Sequence, residues 1–134
     1  MADYTKFQDR CEKFALACQR LVAAVALPVV TDRDVGGTIQ TFEFTYETAW
    51  KLLRAWVGTL GEEMPTSPKA AFAAAYAQHL IGDEVTWLAM VGDRNLTTHT
   101  YDPAVAALVL ARIQSDYLPV FLKLAQTLPA PTSV

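Results

Sequence analysis

Phe7, Cys11, Phe14, Cys18, Leu21 and Val25 recur at alternating steps of four and three, the seam of an amphipathic helix lying nearly parallel to a neighbour. The pattern predicts a first helix from about Tyr4 to Ala26, stopped by Pro28. Residues 29–37 hold Asp32, Arg33, Asp34, Gly36 and Gly37 and read as a turn by composition. A second helix is expected from about Thr38 to Leu60, with Ile39, Phe42, Tyr46, Ala49, Leu53, Val57 and Leu60 on one face and Gly61 as its stop. Ser67-Pro68 opens a short third helix whose many alanines allow close approach to a neighbour. A fourth is expected from about Glu84 to Leu96, with Trp87, Leu88 and Val91 apolar. Asp102-Pro103 caps a fifth, carrying Val105, Leu108, Val109, Ala111, Ile113, Leu118, Phe121 and Leu124 inward and ending near Ala125.

No strand period survives this pass. The expectation is an all-α, up-and-down four-helix bundle with one extra short helix. A single domain would occupy residues 1–125, and the Pro-rich stretch 126–134 would be a frayed tail.

Composition narrows the function. The chain has 134 residues, 52% of them hydrophobic, enough for a real core. Its net charge of −3 disfavours a stand-alone nucleic-acid binder with a broadly basic face. Any RNA contact has to be local, or assembled with a second subunit. The apolar stretch from Phe14 to Val30 is broken by Gln19 and Arg20 and does not read as a signal peptide, and no uninterrupted apolar run suggests a membrane span. Cys11 and Cys18 lie about 10 Å apart along one helix, too far for a bridge. They read as small apolar residues in a reducing compartment such as a bacterial or archaeal cytoplasm.

Chemistry concentrates between Asp93 and Asp102, where an Arg, an Asn, three Thr, a His and a Tyr fall within an otherwise alanine-rich chain. Arg94 offers a planar fork of donors suited to phosphate, and His99 can exchange a proton near neutral pH. On a continuous helix a five-residue step turns about 140°, so the two converge only if the helix ends between them. The β-branched Thr97, Thr98 and Thr100 make that end plausible. At a phosphodiester, Arg94 would stabilise charge on phosphate oxygens, and His99 would take the 2′-hydroxyl proton or protonate the leaving oxygen. The plainer alternative is a surface cation and a helix-end charge.

Asn95 would orient Arg94 or donate to phosphate, or else bond only local backbone. Glu43, Glu47 and Lys51 are spaced as a solvated ladder, with Glu43 or Glu47 as a partner of Arg94 the sharper option. His79 reads as a helix-end charge, and Trp50 and Trp87 as core. The two histidines lie apart without carboxylates at ligand spacing, so neither metal nor cofactor is expected.

Three runs, TIQTFEFTYETAWK from Thr38, SPKAAF from Ser67 and EVTWLAMVGDRNLTTHTYD from Glu84, occur in one order. Together they resemble the nucleotidyltransferase substrate-binding subunit, a branch of the HEPN family, over about Phe7 to Leu124. The resemblance implies a HEPN-like bundle. Many such proteins carry an Arg-x4–6-His motif and act as metal-independent ribonucleases, with two motifs meeting across a homodimer cleft. Arg94, Asn95 and His99 match that motif, and Tyr101 occupies the place of a tyrosine modified by a partner nucleotidyltransferase. The implied roles are a toxin ribonuclease silenced by its cognate minimal nucleotidyltransferase, a non-catalytic subunit presenting RNA or nucleotide to that enzyme, or a purely structural partner. A homodimer, or a dimer of dimers, is implied. Tyr101 as a residue merely packed against the last helix stays open.

Overall fold

The computed structural model describes residues 2–128, with side chains from Thr5 onward. All regular structure among them is helical: α1 (Ala2–Ala26), α2 (Asp32–Thr59), α3 (Pro68–Ala77), α4 (Glu84–Leu96), a 3-10 turn (Thr97–His99), α5 (Pro103–Arg112), a π-helical turn (Ile113–Tyr117) and α6 (Leu118–Thr127). Because α5, the π turn and α6 follow one another without a break, they act as one rod. The four-helix bundle with one extra short helix is therefore the observed architecture. The α6 helix passes the expected end at Ala125, and the remainder of the expected tail, from residue 129 on, lies outside the described residues.

The expected turn over 29–37 is corrected. Thr31 caps α2 by accepting from the Asp34 N–H at 3.2 Å, and the Asp34 carboxylate accepts from the Thr31 and Val30 N–H groups at 3.0 Å each. This reciprocal box launches the helix at Asp32, so Gly36 and Gly37 fall inside it. His79 stands at the end of α3 as expected, two residues past Ala77, and its left-handed φ of 61° closes the helix there.

The π turn has a physical cause in Pro119. A proline there has no N–H for the Ser115 carbonyl, and its ring would clash with that carbonyl in a regular helix. The chain widens, and the Leu118 N–H bonds back to the Ile113 carbonyl. The apolar stripe runs Ala106, Val109, Ile113, Tyr117, Phe121 and Leu124, all buried, while Leu108 and Ala111, expected inward, are exposed. By length and composition this rod could cross a membrane, with a mean hydropathy of 1.4 over its best window. Its stripe nevertheless packs against the other helices, and Arg112 and Asp116 lie on the rod outside that stripe.

The core is an aromatic chain spanning the bundle. Phe42 stacks on Tyr117 with centroids 5.6 Å apart, Phe14 and Trp87 meet Phe121 edge-on, and Phe72 lies against both Tyr46 and Trp87. Each such pair adds roughly 0.5–1.5 kcal/mol beyond the area it buries. Trp87 is buried as expected, but Trp50 is only half-buried. Both cysteines are free; burial raises the Cys18 thiol to about 12 and the Cys11 thiol to about 11, which makes them poor nucleophiles.

Candidate active site at the end of the fourth helix

Three threonine hydroxyls end α4. Thr97 Oγ1 bonds the Arg94 carbonyl at 2.6 Å, Thr98 Oγ1 the Asn95 carbonyl at 3.0 Å, and Thr100 Oγ1 the Thr97 carbonyl at 3.2 Å. Side chains thus satisfy the carbonyls that a helix end leaves free, and the chain tightens into a 3-10 turn. The helix ends between Arg94 and His99.

Arg94 is held in place from α2. Its Nη1 lies 3.0 Å from Glu43 Oε2 and donates to Thr97 Oγ1 at 2.9 Å. Thr97 Oγ1 is also 3.1 Å from Glu43 Oε2, so its single proton serves either that carboxylate or the Arg94 carbonyl. The pair is about a third exposed, 30% for Arg94 and 32% for Glu43. Arg94 Nε is buried and has no hydrogen-bond partner among the described residues. Glu47 is not part of this group: it accepts from Trp50 Nε1 at 3.0 Å and sits 4.0 Å from Lys51. Of the two candidate carboxylates, Glu43 meets Arg94 and Glu47 belongs to the ladder.

Tyr46, one turn after Glu43, borders the same cation. Burial lifts its phenol to about 12, Glu47 adds to the rise, and the positive charge of Arg94 opposes it.

His99 belongs to a second, exposed group. Its Nδ1 is 3.2 Å from the Tyr101 hydroxyl, and the two rings meet edge-on with centroids 5.8 Å apart. Tyr101 is 82% exposed, so it is not a packing residue within a single chain. Asn95 is exposed, and among the described residues its side chain bonds neither Arg94 nor His99. No direct hydrogen bond joins the Arg94 group to the His99–Tyr101 pair among the described residues; the 3-10 turn alone connects them. Tyr101 also lines a groove with Asp32, Gly36, Thr100, Pro103 and Leu110, between the start of α2 and α5.

A buried cluster beside the site has no counterpart in the sequence reading. Asp93 is almost wholly buried; its Oδ1 accepts from Arg112 Nη1 at 2.7 Å and its Oδ2 from the Tyr117 hydroxyl. Burial, reinforced by the bond to Asp93, pushes the Tyr117 phenol far above its ordinary range. The π turn brings Tyr117 to this carboxylate. Consecutive residues of α4 therefore reach in two directions, Asp93 to the α5–α6 rod and Arg94 to α2. A buried charge with partners 19 and 24 residues further on leaves no periodic signal. Among the described residues, no three His, Cys, Asp or Glu side chains form a group that could hold a metal ion.

Comparison with known proteins bears on the fold and the family. A Haemophilus influenzae protein, whose structure is described as revealing the fold of a substrate binding domain of a nucleotidyltransferase, superposes with a TM-score of 0.76 at 28% identity, covering 87% of this chain and 96% of that one. A protein of Thermus thermophilus superposes with a TM-score of 0.72 at 31% identity, covering 85% of this chain and 93% of that one. The probable ribonuclease HepT of Haemophilus influenzae is 34% identical over 96 residues, which span 67% of this chain and 64% of that relative. The model of the family described as nucleotidyltransferase substrate binding protein like matches residues 9–130, and the chain belongs to that family.

Proposed function

We propose that this chain is a metal-independent endoribonuclease paired with a minimal nucleotidyltransferase that silences it by modifying Tyr101. The observation that carries the reading is the arrangement at the end of α4. Arg94 is fixed by Glu43 and Thr97, and His99 stands at the surface with the Tyr101 hydroxyl on its Nδ1. The name of the HepT relative, a probable ribonuclease, supports the reaction class. The description of the Haemophilus influenzae structure supports a nucleotidyltransferase as partner.

In the proposed reaction His99 accepts the proton of a ribose 2′-hydroxyl. The oxygen attacks the adjacent phosphorus, the bond to the 5′-oxygen breaks, and the proton is passed to that oxygen. The products are a 2′,3′-cyclic phosphate and a 5′-hydroxyl. Arg94 stabilises the charge growing on the non-bridging oxygens. Asn95 is assigned to donating a hydrogen bond to the phosphate from its side-chain amide. Two copies form the competent unit, each contributing one motif, and the free thiols fit a reducing cytoplasm.

Silencing follows from the Tyr101 position. Its hydroxyl oxygen would attack the α-phosphorus of ATP, releasing pyrophosphate and leaving AMP on the ring. The new anion would stand beside His99 and compete with RNA phosphate for Arg94. The test is cleavage of RNA by the isolated chain. His99→Ala and Arg94→Ala should each abolish it with helical circular dichroism retained, and cleavage should persist in EDTA. With the partner enzyme, ATP and Mg²⁺, the mass should rise by one or more AMP units and cleavage should stop; Tyr101→Phe should prevent both. Cleavage retained in both alanine variants would remove the mechanism, and labelling of the Phe variant would remove Tyr101 from it.

One observation favours a second reading, a non-catalytic subunit that presents substrate to the nucleotidyltransferase: Glu43 already neutralises Arg94 within a single chain. An RNA that binds but is never cut would select it.

A further inference from the structure

A basic groove lies on α1 and α2, apart from the Arg94 group. Lys6 and Arg10 of α1 face Lys51 and Arg54 of α2, with Trp50 and Met64 completing the walls. Four cations at one place are conspicuous in a chain whose net charge is −3. Among the described residues, none of Lys6, Arg10 and Arg54 has an ion-pair partner, and Lys51 has only Glu47, at 4.0 Å.

The groove is built, not incidental. Arg54 Nε donates to the Pro65 carbonyl at 2.9 Å and holds the segment after α2 against the helix. Gly58 provides the room: a Cβ there would sit 2.8 Å from Met64 Cγ and Sδ. Glu47 fixes the Trp50 indole through its Nε1 at 3.0 Å, so the half-buried ring keeps one orientation. Glu43, Glu47, Trp50 and Arg54 recur at steps of four and three and share one stripe of α2. Along that stripe Trp50, the nearest wall of the groove, lies about 10 Å beyond Glu43, with Glu47 between them, and Arg54 lies about 16 Å beyond Glu43.

We propose that this groove binds the backbone of single-stranded RNA, with a base stacked on Trp50, and leads the strand along α2 to Arg94. The alternative occupant is an acidic protein surface, which would pair with the cations but have no use for an oriented indole. Cations interleaved with an aromatic face are the combination that single-stranded nucleic acid requires. The groove also supplies the local contact that an acidic RNA-binding chain needs. Only the direction of the strand rests on the ribonuclease reading; the binding does not.

Binding of a short fluorescent 2′-O-methyl oligouridine, which cannot be cleaved through its 2′-oxygen, tests this by anisotropy across a salt series with the full chain. The double reversal Lys6→Glu/Arg10→Glu should weaken binding at least about tenfold and flatten the log–log salt slope by roughly 1.4, two lost contacts on a single strand. Trp50→Phe should keep most of the affinity and Trp50→Leu should lose it, with melting followed for each. Unchanged affinity and slope in the double reversal overturn the proposal. So does a reversal that keeps RNA affinity but loses the partner nucleotidyltransferase, which assigns the groove to a protein. Oligouridine held in the groove by a chain that never cuts RNA would leave this proposal standing and sink the ribonuclease reading. Normal affinity and normal cutting by the reversal variant would do the opposite.

Discussion

Asp93 and Arg94 are neighbours on α4, and each forms a carboxylate–guanidinium pair, but the two pairs differ in surroundings. The difference lies in the carboxylates: Asp93 is 5% exposed and held by both the 42% exposed Arg112 and the buried Tyr117, whereas Glu43 is 32% exposed beside an Arg94 that is 30% exposed. A buried carboxylate resists losing a donor, because water reaches the charge left behind poorly. A carboxylate a third exposed can give up its cation to a phosphate at less cost, since water shares the load. The first pair is suited to hold the bundle and the second to meet a ligand. One step along a helix separates architecture from chemistry.

Removing Arg112 should break this contrast hardest. Arg112→Ala leaves Asp93 buried with Tyr117 as its one remaining partner; because Arg112 itself is 42% exposed and water can take part of its place, the cost should be about 2–4 kcal/mol, below that of a fully buried pair. Thermal melting should then fall by on the order of 10 °C for a chain of this size. Tyr117→Phe keeps the stack on Phe42 but leaves one Asp93 oxygen without its donor, for an expected loss of about 1.5–3 kcal/mol in urea unfolding. A loss as small as that of a surface variant would mean that Asp93 is better solvated than its burial implies.

Glu43→Gln should cost no more than about 1 kcal/mol, because its pair with Arg94 is partly in water. By freeing the guanidinium it should tighten phosphate binding, read as inhibition of RNA cleavage by inorganic phosphate. The smallest effect is expected at the start of α2. The backbone N–H groups of Val30 and Thr31 hold the Asp34 carboxyl below its ordinary 3.8. Its contribution is therefore present above pH 3.8 and lost as pH falls through the lowered folded value. Amide exchange in the first turn of α2 should accelerate on that acid side, and Asp34→Asn should remove the pH dependence.

These contrasts also measure how much is legible in the chain. The end of α4 is readable because β-branched threonines with hydroxyls near a helix end have a local effect, and Ser67-Pro68 and Asp102-Pro103 mark helix starts for the same reason. The start of α2 is misleading because Gly36 and Gly37 weigh towards a turn, while the Thr31–Asp34 box that overrides them is one short-range pair. Pro119 stands in plain view, but whether a proline breaks, kinks or widens a helix depends on the packing around it. The buried partners of Asp93 and the groove around Trp50 come from the tertiary arrangement, which no spacing along the chain encodes. Glu43 is one of two candidates for Arg94, and only the placement of α4 against α2 chooses between them.

The division of labour between the two pairs is tested most directly by measuring melting temperature and single-turnover RNA cleavage side by side for Arg94→Ala and Arg112→Ala. Arg94→Ala should melt within a few degrees of the parent and cut no RNA. Arg112→Ala should melt far lower, yet cut at close to the parental rate per folded molecule. Cleavage that survives the loss of Arg94, or that vanishes in folded Arg112→Ala while Arg94→Ala keeps it, would contradict the assignment.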